Sequence, residues 1–272
     1  MIPKIIHYCW FGDALPDEAL KCIDSWKKYC PNYEIVKWDE SNFDVNCCKY
    51  VKEAYENKKW AFVSDYARFK ILYDNGGVYF DTDVKLIKPI DDILDRGPFM
   101  GLENDLLGTN GIKRNSIAPG LGMGAVKGMM FYKEILNDYN EDSFIKEDGD
   151  INTRTVVERV TEKMLSNSNI HLDGSSVTLI DGLYIYPVDY FCPLSYELGT
   201  LKITDNTRSI HLFDGSWVAD DEKNYMNDVR CYTKIYSRFV PLNLANKIAR
   251  IYSTYKLCGM KGIYIKIKNK LN

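Results

Sequence analysis

Two aspartates one residue apart, in Asp81-Thr82-Asp83, follow the short apolar run Val78-Tyr79-Phe80. In an extended segment, side chains at i and i+2 leave the same face, about 6.5–7 Å apart along the backbone. Two carboxylates that close repel each other, and burying them is costly unless a cation joins them. A hard divalent metal resolves the conflict by taking oxygen ligands, and a bound diphosphate can complete its shell. An isolated Asp-x-Asp is most often a solvated turn. Here the pair sits behind an apolar strand and a Gly-Gly turn, with Asp65 and Arg68 close upstream.

The elements that must position this pair are legible around it. In residues 60–75, Phe62, Tyr66, Phe69 and Tyr73 recur at helical spacing, with Val63, Ala67 and Ile71 widening the apolar face. Ser64, Asp65 and Arg68 gather on another side of that helix. Asn75-Gly76-Gly77 supplies the left-handed conformations that end a helix and turn the chain. The strand that follows delivers its aspartates at its carboxyl end, the edge where open α/β sheets bind ligands.

Upstream, residues 4–9 read as a strand, 17–29 as a helix and 33–38 as a second strand, a βαβ-like opening. No G-x-G-x-x-G follows the first strand, which disfavours a dinucleotide fold. Residues 48–57 read as a helix. Downstream, residues 86–90 continue extended, a short helix begins at Asp91, and residues 99–103 form a strand. Residues 104–124, with Gly108, Gly111, Gly120, Gly122 and Gly124, read as a long loop. Helices are expected over 127–139 and 150–165, the latter capped by Asp150. Strands are expected over 177–180, 183–186 and 209–213, the last carrying His211.

The stretch SDYARFKILYDNGGVYFDTDV resembles the signature of metal-dependent, sugar-nucleotide glycosyltransferases of GT-A fold. It is most similar to the family 32 group of bacterial capsular and surface polysaccharide transferases and fungal mannosyltransferases. The clostridial glucosylating toxins share its core pattern. IPKIIHYCWFG at residues 2–12 and IHLFDGSW at 210–217 match in the same order, so the resemblance brackets most of the first 217 residues. It implies an α/β, Rossmann-like catalytic domain and transfer of a hexose or N-acetylhexosamine to a glycan or lipid-linked glycan acceptor. A UDP-sugar is the favoured donor, and anomeric configuration is retained.

The resemblance also implies roles. Asp83 becomes the direct metal ligand, and Asp81 reaches the ribose, the sugar or the metal through water. His211 is the best candidate for a third ligand, and a mixed oxygen and imidazole shell suits Mn²⁺ at least as well as Mg²⁺. Asp65 and Arg68 contact donor sugar hydroxyls, and Ser64 and Tyr79 match nucleotide- or sugar-contacting positions. Trp10 lies beside the base, in the same N-terminal motif as His7. Ser216 and Trp217 resemble a closing loop that reaches the β-phosphate. Glu103, Asp105 and Asn110 are acceptor-side candidates. On their own residue types, Asp65 and Arg68 are also a helix surface pair, Trp10 a core residue and His7 a satisfied structural histidine.

Two other readings remain open. Asp81-Thr82-Asp83-Val84 fits the start of haloacid-dehalogenase-type phosphatases, with Asp81 as nucleophile. Those enzymes carry the motif on their first strand, whereas here some 80 residues precede it. A non-catalytic sugar-nucleotide binding module is the other, and the intact Asp81, Asp83, His211 and Trp217 set argues against such decay.

A chain of 272 residues, 46% hydrophobic, can bury a sizeable core. Its eight cysteines show no metal-type spacing and read as reduced thiols. Pro3, Lys4 and His7 interrupt the only apolar start, and no run of about 18 apolar residues occurs, so the expectation is a cytoplasmic protein. The net charge of −3 is unevenly placed. Residues 230–272 hold ten Lys or Arg and no acid, leaving 25 basic and 38 acidic groups before them. The expected division is a catalytic domain over 1–229 and a basic helical extension over 230–272. Within the extension, Leu244, Ile248, Ile251, Tyr252 and Tyr255 line one side of a helix, with Lys247, Arg250 and Lys256 around it. That pattern fits either an anionic membrane surface, such as the inner face of a membrane, or docking on the acidic core. The acidic body disfavours nucleic acid.

Overall fold

The computed structural model describes residues 1–12, 14–105, 114–166, 172–215 and 220–271. The chain divides into two compact units. The first comprises Met1–Asn104, Asn115–Pro193 and Lys202–Leu212; the second comprises Asp105–Arg114, Leu194–Leu201 and Phe213–Asn272.

The first unit is α/β. It opens with β1 (Ile5–Cys9), α1 (Asp17–Tyr29) and β2 (Glu34–Trp38), and β1 and β2 pair in parallel. Two helices, α2 (Lys49–Glu56) and α3 (Trp60–Asn75), then lead to β3 (Gly77–Tyr79), which pairs in parallel on the other side of β1. The chain therefore reverses its direction of travel across the sheet at β1, which makes a crevice at the carboxyl ends of these strands. After β4 (Val84–Leu86) and α4 (Asp91–Arg96) come β5 (Phe99–Asp105), β6 (Arg114–Ala125), α5 (Met130–Asn140) and α6 (Val156–Ser166). Next come β7 (Thr178–Ile180), β8 (Leu183–Tyr186), α7 (Val188–Phe191) and β9 (Ser209–His211). The main sheet has seven strands in the order β2-β1-β3-β6-β5-β8-β7, and β4 and β9 form a separate antiparallel ribbon.

α3 forms as its pattern predicts. Val63, Tyr66, Ala67, Phe69, Ile71 and Leu72 are buried, and Gly76 at φ 71° and Gly77 at φ 101° make the turn into β3. No Cβ fits on Gly77, because it would lie 2.8 Å from the Ile5 carbonyl oxygen and 2.9 Å from His7 Nε2.

Residues 114–125 correct the expected loop. They are a strand paired antiparallel to β3, with Gly77 opposite Ala125 and Tyr79 opposite Met123. Their glycines are there because neighbours approach closely. A Cβ on Gly120 would collide with the Asp81 carboxylate, one on Gly122 would meet the Phe80 ring at 2.8 Å, and one on Gly124 would collide with the Phe99 ring. The α6 boundary moves as well: the helix starts at Val156, so Asp150 does not cap it. Thr155 does, its Oγ1 accepting from the Glu158 N–H at 3.1 Å while Glu158 accepts from the Thr155 N–H at 2.9 Å, a reciprocal capping box.

The second unit contains α8 (Asp220–Tyr236) and α9 (Leu242–Leu271), which pack against each other. The expected boundary at 229/230 falls inside α8. Tyr232 meets Tyr252 edge-on at 4.5 Å, Asn246 donates to Thr233 Oγ1 at 3.2 Å, and Lys256 pairs with Asp228 at 2.8 Å. α9 kinks at Gly259, where φ is 62°. Among the described residues its buried ones are Ala245, Asn246, Ala249, Ser253 and Thr254. Among the described residues no helix is long and apolar enough to cross a membrane.

Candidate active site

β3 ends at Tyr79, and the chain then tightens. The Val84 N–H donates to the Asp81 carbonyl at 3.0 Å, so Asp81 to Val84 is a β-turn and not the extended segment the spacing suggested. The turn, and not strand alternation, brings the two carboxylates together. It is held from two sides. The Asp81 N–H donates to the Gly120 carbonyl at 3.1 Å. From α1, Trp26 Nε1 donates to the Val84 carbonyl at 2.7 Å and Ser25 Oγ accepts from the Leu86 N–H at 2.9 Å.

β4 leaves the turn and pairs with β9, Val84 opposite His211. That register sets His211 Nε2 3.1 Å from Asp83 Oδ1. Asp81, Asp83 and His211 each place a ligand atom within 4.8 Å of the others, all partly exposed. Two carboxylate oxygens and an imidazole nitrogen suit a divalent cation of the Mn²⁺ or Mg²⁺ kind. Burial works against protonating His211, but the Asp83 carboxylate, with Asp81 and Glu103 behind it, holds its pKa above the ordinary value. Burial, opposed by Arg68 and helped by Asp83, raises that of Asp81.

Arg68 is buried on α3, and its Nη2 lies 2.8 Å from Asp65 Oδ1 and 3.2 Å from Asp81 Oδ1. One nitrogen thus bridges the helix carboxylate and the turn carboxylate. Arg68 Nε donates to the Ser64 carbonyl at 3.2 Å, and its guanidinium lies over the Tyr79 ring at 5.0 Å. The Tyr79 hydroxyl donates to Asp81 Oδ1 at 3.1 Å, and burial keeps that hydroxyl protonated. Burial pushes the Asp65 carboxyl up to about 6, Arg68 pulling the other way and Asp81 adding to the rise. The Ser64 hydroxyl donates back to the Trp60 carbonyl at 3.0 Å within its own helix.

His7 is buried beneath the Gly-Gly turn. Its Nδ1 accepts from Trp38 Nε1 at 3.1 Å, which leaves Nε2 to donate to the Gly76 carbonyl at 3.0 Å. Both ring nitrogens are occupied, and burial lowers its pKa to about 4. His7 holds the Gly-Gly turn from which β3 starts, a supporting place. Trp10 follows β1, its N–H donating to the Trp38 carbonyl at 2.9 Å, and is partly exposed. Glu103 is partly exposed on β5. Asn110, Ser216, Trp217 and the side chain of Asp105 lie outside the described residues. Gly120 was read only as a loop glycine; the period-two repeat Gly120, Gly122, Gly124 is the signal that marks its place beside Asp81.

Residues 16–100 match the family described as glycosyltransferase sugar-binding region containing DXD motif. Inositol phosphoceramide mannosyltransferase 1 of Schizosaccharomyces pombe is 28% identical over 110 residues, covering 36% of this chain and 33% of that protein. The chain thus spans about a third of that relative's length. Uncharacterized glycosyltransferase L373 of Acanthamoeba polyphaga mimivirus is 25% identical over 214 residues, covering 71% of this chain and 78% of that protein. Among solved structures, galactosyltransferase LgtC in complex with donor and acceptor sugar analogs aligns with a TM-score of 0.45 at 14% identity. That alignment covers 79% of this chain and 90% of LgtC.

Proposed function

We propose that this chain is a metal-dependent, retaining glycosyltransferase of the family 32 kind. It moves a hexose or N-acetylhexosamine from a nucleotide sugar, a UDP-sugar by preference, to a glycan or lipid-linked glycan in surface or capsular polysaccharide synthesis. The observation that carries the reading is the convergence of Asp81, Asp83 and His211 at the carboxyl edge of β3, within a region that matches a DXD family.

Asp83, Asp81 and His211 would hold Mn²⁺ or Mg²⁺. Bound there, the metal supplies Lewis-acid stabilisation for the charge that gathers on a departing diphosphate. The chain's own residues do the positioning. Arg68 fixes Asp81 by charge and Tyr79 fixes it by hydrogen bond, so the turn meets a donor already arranged. Asp65, held by Arg68 and partly exposed, offers its remaining acceptor capacity to donor sugar hydroxyls. Trp10, after β1 at the same strand edge, offers a ring face to the base.

The test is a thermal-shift panel of UDP- and GDP-sugars, GDP-mannose included because relatives are named mannosyltransferases, with Mn²⁺, Mg²⁺ or EDTA. A true donor at a hundredfold excess over Kd stabilises by about 2.7 kcal/mol. A shift with one nucleotide family, abolished by EDTA, is the expected result. No shift with any nucleotide sugar in any metal overturns the reading.

A further inference from the structure

The C-terminal helix turns the apolar stripe of its first turns outward, one of the two arrangements its pattern allows. Among the described residues several of its bulky side chains face solvent, while the α8–α9 contact is made by small and polar residues together with the Tyr232–Tyr252 ring pair. Leu244 is 47% exposed, Ile251 57% and Tyr255 51%, whereas Ala245, Ala249 and Ser253 are buried. With 3.6 residues per turn, Leu244, Ile248, Ile251 and Tyr255 form one stripe about 16 Å long, opposite the buried face. At the turn joining α8 to α9, Phe239 is 81% exposed beside the exposed Arg238.

Alignment by apolar burial alone would put these side chains inside; instead they are left in water, which costs about 25 cal/mol for each Å² they could cover. The charge around them is of one sign. Lys234, Arg238, Lys247 and Arg250 are exposed, and no acidic residue occurs from Arg230 to the end of the chain. Only Lys256 of this helix has a carboxylate partner, Asp228 of α8, among the ion pairs of the described residues. An apolar stripe edged by uncompensated cations is complementary to a surface that offers both anionic head groups and hydrocarbon beneath them. A second copy of this chain is a poorer fit, because it would bring the same cations against themselves.

We propose that the apolar stripe of α9, the exposed Leu244, Ile251 and Tyr255 with the partly exposed Ile248, together with Phe239 and the cations Arg238, Lys247 and Arg250, is a docking surface for an anionic lipid bilayer. The helix lies in the interface and does not span it. This surface stands independently of the glycosyl-transfer reading, since no residue of the Asp81–Asp83–His211 cluster takes part.

Flotation of the full chain with vesicles tests it directly. Vesicles of phosphatidylcholine alone should leave the protein in solution, vesicles of phosphatidylcholine with phosphatidylglycerol should carry it up, and added salt should release it. Ile251→Glu with Tyr255→Glu should abolish flotation, and Lys247→Glu alone should weaken partitioning by at least about fivefold. All three positions are exposed, and circular dichroism with a thermal melt confirms that the variants fold. Protein that stays in solution with anionic vesicles at low salt overturns the proposal, as does flotation that the folded double variant retains. A concentration-dependent dimer that the double variant abolishes, without flotation of the parent, would assign the stripe to a second copy instead.

Discussion

His211 sits 3.1 Å from Asp83 because Val84, the residue after that aspartate, pairs with His211 across the β4–β9 ribbon. A single ladder register therefore joins a turn in the first third of the chain to a strand near the end of the first unit. A one-residue slip of β9 would turn the imidazole to the opposite face.

Asp83→Asn and His211→Ala should each remove a donor from the cluster. Expected is loss of the EDTA-sensitive thermal shift with the nucleotide sugar and a fall in transfer of about a hundredfold or more. Unchanged metal dependence in either folded variant would remove that residue from the ligand set.

Arg68 is not replaceable by another cation. Arg68→Met strands two carboxylates without their bridge and should cost about 3–5 kcal/mol in urea unfolding. Arg68→Lys keeps the charge but loses the planar fork, so it should recover part of that stability and little of the donor binding. Full donor binding in the lysine variant would show that charge alone suffices.

Gly120→Ala separates positioning from folding. The added methyl meets the Asp81 carboxylate, so that side chain must move. Displacement on the scale of an ångström at a reacting centre costs about a hundredfold in rate. The expected outcome is a folded protein with a normal melt and strongly impaired transfer; normal turnover would mean the carboxylate relocates freely.

Two groups, the buried His7 and the partly exposed Asp65, tilt stability with pH in opposite senses. His7 has its pKa lowered to about 4, so the stability it contributes is present above about 6.5 and is lost as pH falls toward 4. Asp65 has its carboxyl raised to about 6, so its contribution is present below about 3.9 and is lost as pH rises toward 6. Between pH 4 and 6 the slopes oppose. In melts across that window, Asp65→Asn should steepen the loss toward acid relative to the parent, and His7→Gln should reverse it. Parallel pH profiles for both variants and the parent would contradict these assignments.

The α6 cap offers a local test. Thr155→Ala removes one half of the reciprocal hydrogen bonding with Glu158 and should cost about 1 kcal/mol. A loss indistinguishable from zero in urea titration would mean that solvent replaces the cap without cost.

What the sequence revealed was local. Helix α3 and the Gly76-Gly77 turn follow from spacing and from glycine conformations, and both lie where expected. Asp81, Asp83 and His211 were legible as a set only through their motifs, since the ribbon that joins them is a long-range pairing. The turn at Asp81–Val84 was misread as extended because two residues of spacing look alike in both, and only the hydrogen bond to Val84 separates them. Strand β6 was hidden by its own glycines. They lower strand propensity locally, and the aromatic rings that make them necessary come from Phe80 and Phe99, distant in sequence. What covers the apolar face of α9 was left open by the same limit: periodicity finds an apolar side but not what lies against it.

The alternating glycines of β6 leave a mark on how the gene can vary. Every single-nucleotide missense change at a glycine codon adds side-chain bulk; at Gly122 and Gly124 that bulk meets packed aromatic rings, and at Gly120 it displaces the Asp81 carboxylate. A saturation library should therefore show a stretch where every second codon tolerates only synonymous change, and the intervening Leu121 and Met123 accept other apolar residues. Depth of intolerance at Gly120 would follow selection for activity, and at Gly122 and Gly124 it would follow selection for abundance.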